Sequence, residues 1–316
     1  MNRANLSGMK LHQGISFHPA MMRVPDSPVL FWPGCALLNL DGEILRKTFS
    51  VLQRAEPQIA LAACCCGQPT RYLLPNRFAQ RQKKITDLLQ KHGIQRIYTA
   101  CPNCTLQLRE LGGFEVLPIW PLLAEVVQPR DLAPLPQGKT FVWHDPCPTR
   151  RDLIQQQAAR QLLERCGCSF IEPEHTGCST ICCGNFHMTH TLRPEVSTQM
   201  RQRRLNEFPA GRVILSSCEG CLGAFRSEGR QTMHLLELLF GQSSSHSWGN
   251  RIPLVYPLKA NRASTFSVDA PFLFIEYPDT CRQSSASRPP AGKGSAARTS
   301  CPSSIAGSAF DSAAPR

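Results

Sequence analysis

The sequence has no long hydrophobic run. No window reaches the uninterrupted apolar length that a membrane-spanning helix needs. Residues 1–28, punctuated by Pro19, Pro25 and Pro28, hold nothing of signal-peptide length. A reducing, cytoplasmic setting is the expectation, with peripheral association to a membrane left open. The basic runs Arg81-Gln82-Lys83-Lys84 and Arg201-Gln202-Arg203-Arg204 come without an aromatic platform or groove-reading motif. The formal charge of +12 therefore does not point to nucleic acid; the runs read as solvated helix faces. Nor is there a short repeating unit, which excludes a solenoid.

What is plentiful is cysteine, sixteen in 316 residues. In a reducing compartment, clustered cysteines mean metal or redox chemistry more often than disulfides. Ten of them form one arrangement given twice. Cys35 stands alone, Cys65-Cys66-Gly67 follows, and Cys101-Pro102-Asn103-Cys104 completes the first set. Cys147, then Cys182-Cys183-Gly184, then Cys218-Glu219-Gly220-Cys221 form the second. The copies are offset by 117 residues, and by 112 for the lone cysteines. Cys64 makes the first pair a triple run, so its register rests on Gly67.

Four chemistries compete for these thiols. Structural disulfides are disfavoured by compartment and by vicinal pairs, which rarely bridge well. Tetrahedral zinc needs four ligands and would leave a fifth idle, though zinc at one of the two sites is retained as an expectation. A dithiol motif at Cys101 and Cys104 explains two cysteines of ten. Iron–sulfur chemistry uses both sets in full, but spacing alone does not name the cluster.

Short continuous apolar runs alternate with helical periodicity. Strands are expected at 29–32, 59–62, 94–99, 114–119, 140–144, 169–172 and 212–216. Helices are expected at 39–55, 76–91, 104–111, 122–127, 150–165 and 194–208, with further short helices near Cys221 and over 233–240. This is an α/β pattern of two pseudo-repeated domains, each a short, mainly parallel sheet with flanking helices. The boundaries read as an irregular N-terminal segment (1–28), a first cysteine-rich domain (29–128), a linker (129–139), a second domain (140–240) and an irregular to disordered tail (241–316). Ser, Ala, Pro and Gly make up 24 of residues 282–316, a composition that cannot build a core. The cysteines fall at or just after strand ends, where open parallel sheets collect functional groups.

The doubled pattern of a lone Cys in Pro33-Gly34-Cys35, then Cys-Cys-Gly, then Cys-x-x-Cys resembles the CCG cysteine-rich domain. That domain occurs in the cysteine-rich subunit of heterodisulfide reductase and in related iron–sulfur oxidoreductase subunits. His144-Asp145-Pro146-Cys147, followed by Arg150, extends the likeness over roughly residues 29–240. Pro148 and Asn185 depart from it, standing where relatives often have His and Gly.

The resemblance implies one or two 4Fe–4S clusters of the noncubane kind. Cys35, Cys65, Cys66, Cys101 and Cys104 would hold the first. Cys147, Cys182, Cys183, Cys218 and Cys221 would hold the second. It implies reduction of a disulfide or thiol-type substrate, or electron relay. The alternatives are a non-catalytic electron-transfer subunit of a flavin-linked hydroxyacid, glycerol-3-phosphate or succinate dehydrogenase complex, and a zinc-stabilised interaction module. The sequence has no C-x-x-C-x-x-C-x-x-x-C-P run, so a ferredoxin-like or flavoprotein partner is expected to bring the electrons.

Among the histidines flanking the second set, His187 is the candidate proton donor, since imidazole titrates near neutrality. His144 and His190 read as plain polar contacts and Asp145 as a turn or cap residue. Arg150, Arg71 and Lys47 read as surface cations within range of cluster or substrate charge. Cys166, Cys168, Cys178, Cys281 and Cys301 read as buried small side chains or incidental thiols.

Overall fold

The structure, a computed structural model, describes residues 3–19 and 21–241. The reading of a disordered tail therefore lies, but for Gly241, outside the described residues. All the described residues fall in one compact unit, and none of their helices is long and apolar enough to cross a membrane.

The chain opens on α1 (Arg3–Ser16). The first copy then runs β1 (Val29–Trp32), α2 (Gly42–Ala55), β2 (Ile59–Leu61), α3 (Gln68–Leu73), α4 (Phe78–Lys91), β3 (Arg96–Thr99), α5 (Pro102–Arg109), β4 (Glu115–Pro118) and α6 (Ile119–Val126). The second runs β5 (Phe141–His144), α7 (Leu153–Arg165), β6 (Phe170–Ile171), α8 (Thr189–Leu192), α9 (Pro194–Leu205), β7 (Val213–Ser216), α10 (Glu219–Arg226), β8 (Thr232–His234) and α11 (Leu235–Phe240). Each copy forms a parallel four-stranded sheet, in the order β2-β1-β3-β4 and β6-β5-β7-β8. The strand order reverses direction between β1 and β3, and again between β5 and β7, and such a reversal opens a crevice at the carboxyl ends.

Strand residues alternate between two layers, as a pleat requires. Val29 and Phe31 of β1 and Phe141 and Trp143 of β5 enter one core shared by both copies, with Leu52, Leu123, Leu162, Leu215 and Leu239. Helices α2 and α6 of the first copy meet α7 and α11 of the second there. Leu30 and Trp32 instead face an outer layer with Ile85, Ile97 and Leu108. Val142 faces the matching layer of the second sheet with Ile214, Phe208 and Phe225.

Several stretches differ from the sequence reading. The helix expected over 233–240 is preceded by strand β8, and only Leu235–Phe240 is helical. Residues 1–28 were expected to be irregular, yet α1 forms within them. It is interrupted by Gly8 and Gly14 and has no acidic first turn. A 14-residue helix of this kind is marginal alone, so tertiary docking holds it: Gln13 is fully buried, and Thr70 of α3 donates to its Oε1. The loop expected after Gly67 contains α3, whose proline lies in the first turn, where a missing N–H costs nothing. The 129–139 linker is tied down as well. The Ala133 N–H donates to the Leu239 carbonyl at 2.8 Å, and Leu132 and Leu135 pack on the shared core.

Gly184 sits at φ +88, and a Cβ there would lie 2.4 Å from the Ser197 carbonyl oxygen. Gly211, at φ +77, faces open space. Gly184→Ala is expected to destabilise the protein by about 2 kcal/mol or more, and Gly211→Ala by about 1 kcal/mol. Urea unfolding of the two variants measures the difference; equal losses would refute the tight packing at Gly184.

Candidate metal centres

The parallel strands deliver the cysteines to one rim of each sheet. Cys35 follows β1, Cys65 and Cys66 follow β2, and Cys101 follows β3 and caps α5. In the second copy Cys147 follows β5, the pair Cys182 and Cys183 lies beyond β6, and Cys218 follows β7 and caps α10. Gly34, at φ +90, lets the backbone pass close over the thiols. A Cβ on it would lie 2.8 Å from Cys101 Cβ and 3.1 Å from Cys104 Sγ.

In the first copy the sulfurs hydrogen-bond in a chain, Cys35 to Cys65 to Cys66 to Cys104 to Cys101. In the second, the chain is Cys147 to Cys182 to Cys183 to Cys221 to Cys218. Position for position, the order is the same. The structure thus brings together all ten cysteines singled out by spacing, in two groups of five. Cys64 is excluded from the first. Its thiol donates to the Arg23 carbonyl at 3.3 Å, and burial pushes it up to about 12.

In each group the thiol that receives two others is held in the ionised form, and in the first group Cys101, which receives the Cys104 thiol, is lowered as well. Thiol donors Cys35 and Cys66, with the Gly67 amide, hold Cys65 well below the ordinary thiol range. Donors Cys147 and Cys183, with the amides of Phe186 and Gly184, push Cys182 down to about 2. The Gly184 N–H lies 3.3 Å from Cys182 Sγ. Cys35 and Cys147, which donate to them, are raised in turn, each chiefly by that bond.

The surroundings of the two groups differ. Gln13 of α1 donates to Cys65 Sγ at 3.6 Å, and Arg81 donates to Thr70 and Gln13 at 2.8 and 3.3 Å. Cys182, at the matching position, lines a cavity of about 330 Å³ with Cys147, Arg150, Phe186, His187 and Arg203. His187 adopts a left-handed backbone at φ 58. Its ring lies 4.9 Å from Tyr72 and 3.9 Å from Phe186, centroid to centroid.

Other residues weighed from the sequence have plainer places. Asp145 accepts from Arg160 at 2.7 Å and from the Gly177 amide at 2.7 Å, tying the 176–180 turn to β5. Burial works against its ionisation, but the Arg160 pair wins and its pKa is lowered. Arg71 pairs with Glu110, and Lys47 donates to the Phe240 carbonyl at 3.0 Å. Burial lowers the pKa of His190. Cys168 is buried in the shared core with Cys166 packed against it, and Cys178 lies on an exposed turn. Cys281 and Cys301 lie outside the described residues.

Sequence reasoning missed Gln13, Asn103 and Arg204. Asn103 Nδ2, inside the first Cys-x-x-Cys, lies 4.0 Å from Cys218 Sγ, so the two groups adjoin. Arg204 is fully buried and donates from Nε to His144 Nδ1 at 3.1 Å. His144, Cys183 and Cys221 present ligand atoms within 4.8 Å of one another. His144, read from the sequence as a plain polar contact, thus stands against the second group, and the offset of 112 residues pairs it with Trp32 as it pairs Cys147 with Cys35.

Soft thiol donors in groups of five are the donor set of a metal centre. The family model of the CCG cysteine-rich domain matches residues 29–109 and 141–226. No curated protein matches the chain. Among solved structures, a putative Asp/Glu racemase from Yersinia pestis is 12% identical, over 66% of this chain and 94% of that one, with a TM-score of 0.28. An aspartate racemase homologue from Pyrococcus horikoshii is 11% identical, over 68% and 96%, also with a TM-score of 0.28. Likenesses this distant carry no argument.

Cys182 is both ionised and open to the cavity. In metal-free protein, iodoacetamide should label it at pH 6, where an ordinary thiol is under about 1% ionised. A lowered pKa means the reactive form persists above the pKa and is lost only as pH falls toward about 2. Cys64 should stay unlabelled even at pH 8. Mass spectrometry of the digested protein reads both; labelling of Cys182 only above pH 8 would refute the assignment.

Proposed function

The chain belongs to the CCG cysteine-rich domain family, and from that premise we propose that it is an iron–sulfur oxidoreductase subunit resembling the cysteine-rich subunit of heterodisulfide reductase. Each group of five thiols holds a 4Fe–4S cluster of the noncubane kind, and the second group faces a disulfide or thiol-type substrate. One observation carries this reading: two sets of five soft donors close in the same contact order. A single zinc would use four of each five and leave a buried, uncompensated sulfur. Cys35, Cys65, Cys66, Cys101 and Cys104 would hold the first cluster. Cys147, Cys182, Cys183, Cys218 and Cys221 would hold the second. When bound, such a cluster supplies one electron at a time.

The side chains over the second group suit an anionic sulfur substrate. Arg150 and Arg203 line the cavity, no acidic residue does, and neither arginine forms an ion pair among the described residues. Arg150 is held in place by the Thr180 carbonyl at 2.7 Å. Reducing a disulfide to two thiols takes two electrons and two protons. His187, on the same cavity wall, is the candidate donor of one of these protons to the leaving sulfur. The first group, covered by Gln13, receives electrons from a ferredoxin-like or flavoprotein partner in the cytoplasm. A second reading, a non-catalytic electron-transfer subunit of a flavin-linked dehydrogenase complex, is favoured by the Asn103 contact with Cys218. That contact links the two groups whether or not a substrate binds.

Anaerobic purification with metal and sulfide analysis tests the reading. About four irons and as many sulfides per loaded site are expected; zinc without sulfide would end it. Cys66→Ser should lose the first site's iron, whereas Cys64→Ser should keep it.

With an artificial electron donor and a carboxylate-bearing disulfide such as lipoate, Arg203→Ala should raise KM about tenfold or more, the loss of one charge-assisted hydrogen bond. Its kcat should change little. Fully loaded protein that never turns over a disulfide favours the electron-transfer reading.

A further inference from the structure

Three residues before each lone cysteine, the chain carries a ring N–H with nothing to receive it. In the first copy the residue is Trp32; in the second, at the same offset of 112, it is His144. Both side chains are fully buried. Trp32 Nε1 and His144 Nε2 have no hydrogen-bond partner among the described residues. A buried donor left unpaired costs about 1–3 kcal/mol, and this one recurs at the same place in both copies. The two rings also keep matching company. Trp32 packs in the outer layer with Cys66 and Cys104. A ring nitrogen of His144 lies within 4.8 Å of the sulfurs of Cys183 and Cys221, their counterparts at the offset of 117.

The His144 tautomer follows from its neighbour. Arg204 Nε–H donates to Nδ1 at 3.1 Å, and a guanidinium has no acceptor to offer. Nδ1 must present its lone pair, so the ring hydrogen is on Nε2. Arg204 is fixed in that role by the His175 carbonyl at 2.6 Å, by Glu207 at 2.7 Å and by the Phe208 ring at 4.7 Å. The imidazole is wedged edge-on against Phe208 and Phe225, at 6.0 and 5.0 Å between centroids. A ring nitrogen that carries hydrogen cannot ligate a metal. His144 is therefore a donor toward the second centre, not one of its ligands.

We infer that His144 Nε2–H and Trp32 Nε1–H each donate to a sulfur of the cluster held in their own copy, and that they tune its reduction potential. This rests on the iron–sulfur reading given above. A hydrogen bond to a cluster sulfur disperses the negative charge that reduction adds, and so raises the potential. His144 is the stronger donor because the buried Arg204 cation polarises its ring from behind. Indole in the first copy has no second nitrogen through which a cation could act.

Two measurements test this. In spectroscopic redox titration of the iron-loaded protein, His144→Phe should lower the midpoint potential of one centre only. Trp32→Phe should lower the other by a smaller amount, and His144→Gln, which keeps an N–H donor, should recover part of the first loss. Unchanged potentials in variants that retain their iron overturn the inference. In ¹⁵N spectra of histidine-labelled wild-type protein, His144 should be protonated at Nε2 and bare at Nδ1. The opposite tautomer, or a doubly protonated ring, overturns the inference even where a variant fails to fold. The ¹⁵N result reads the same on zinc-loaded protein, and iron and sulfide are counted on the same samples. A failure of the iron–sulfur reading is thereby told apart from a failure of this one.

Discussion

Everything in this structure depends on the closure of five thiols into contact inside a low-dielectric rim. Burial alone pushes thiols toward the neutral form, as it does for Cys64. Cys65 and Cys182 escape that fate because two thiols and at least one backbone amide donate to each. Closure needs parallel strands. The lone cysteine, the vicinal pair and the Cys-x-x-Cys motif follow three different strands, and only a parallel sheet puts all three strand ends on one side. It also needs the reversal of strand order between β1 and β3, and between β5 and β7, because the crevice there is where the thiols meet.

The two copies share this frame and differ in what surrounds it. A helix from outside the repeat puts Gln13 against Cys65, while the matching Cys182 faces a cavity bordered by two arginines. The rings behind the sulfurs differ too, indole in one copy and an imidazole with a guanidinium behind it in the other. Ligand pattern sets what kind of group each site can hold. Division of labour between two sites of one pattern has to come from such neighbours, since the thiols themselves are interchangeable position for position.

The parts legible in the sequence are those with strong periodicity or fixed spacing. Short apolar runs gave seven of the eight strands, and the cysteine offset marked the duplication and both groups of five. Helix α1 was not legible because its local signals are poor and its stability comes from docking Gln13 and Phe17. The short α3 was hidden by Pro69, which reads as a loop residue unless its place in a first turn is known. Arg204 was hidden by its own charge. It lies in a basic run that reads as a solvated face, yet it is fully buried because Glu207, the His175 carbonyl, His144 and Phe208 together replace its water.

The shared core explains why the duplication stays in one body. Helices α2 and α6 of the first copy pack against α7 and α11 of the second, so packing rather than the 129–139 connection sets the distance between the two rims. That connection follows the same surface, pinned by Ala133 to the end of α11. A gap set by a flexible tether would vary. Here Asn103, in the motif of one group, touches Cys218 of the other. Each group of thiols is assembled on its own sheet, whereas their separation is fixed by leucines and tryptophans between the sheets. Packing between the sheets, Trp120 and Leu162 included, therefore sets the spacing of the two rims, while the residues at each rim set what that rim can bind.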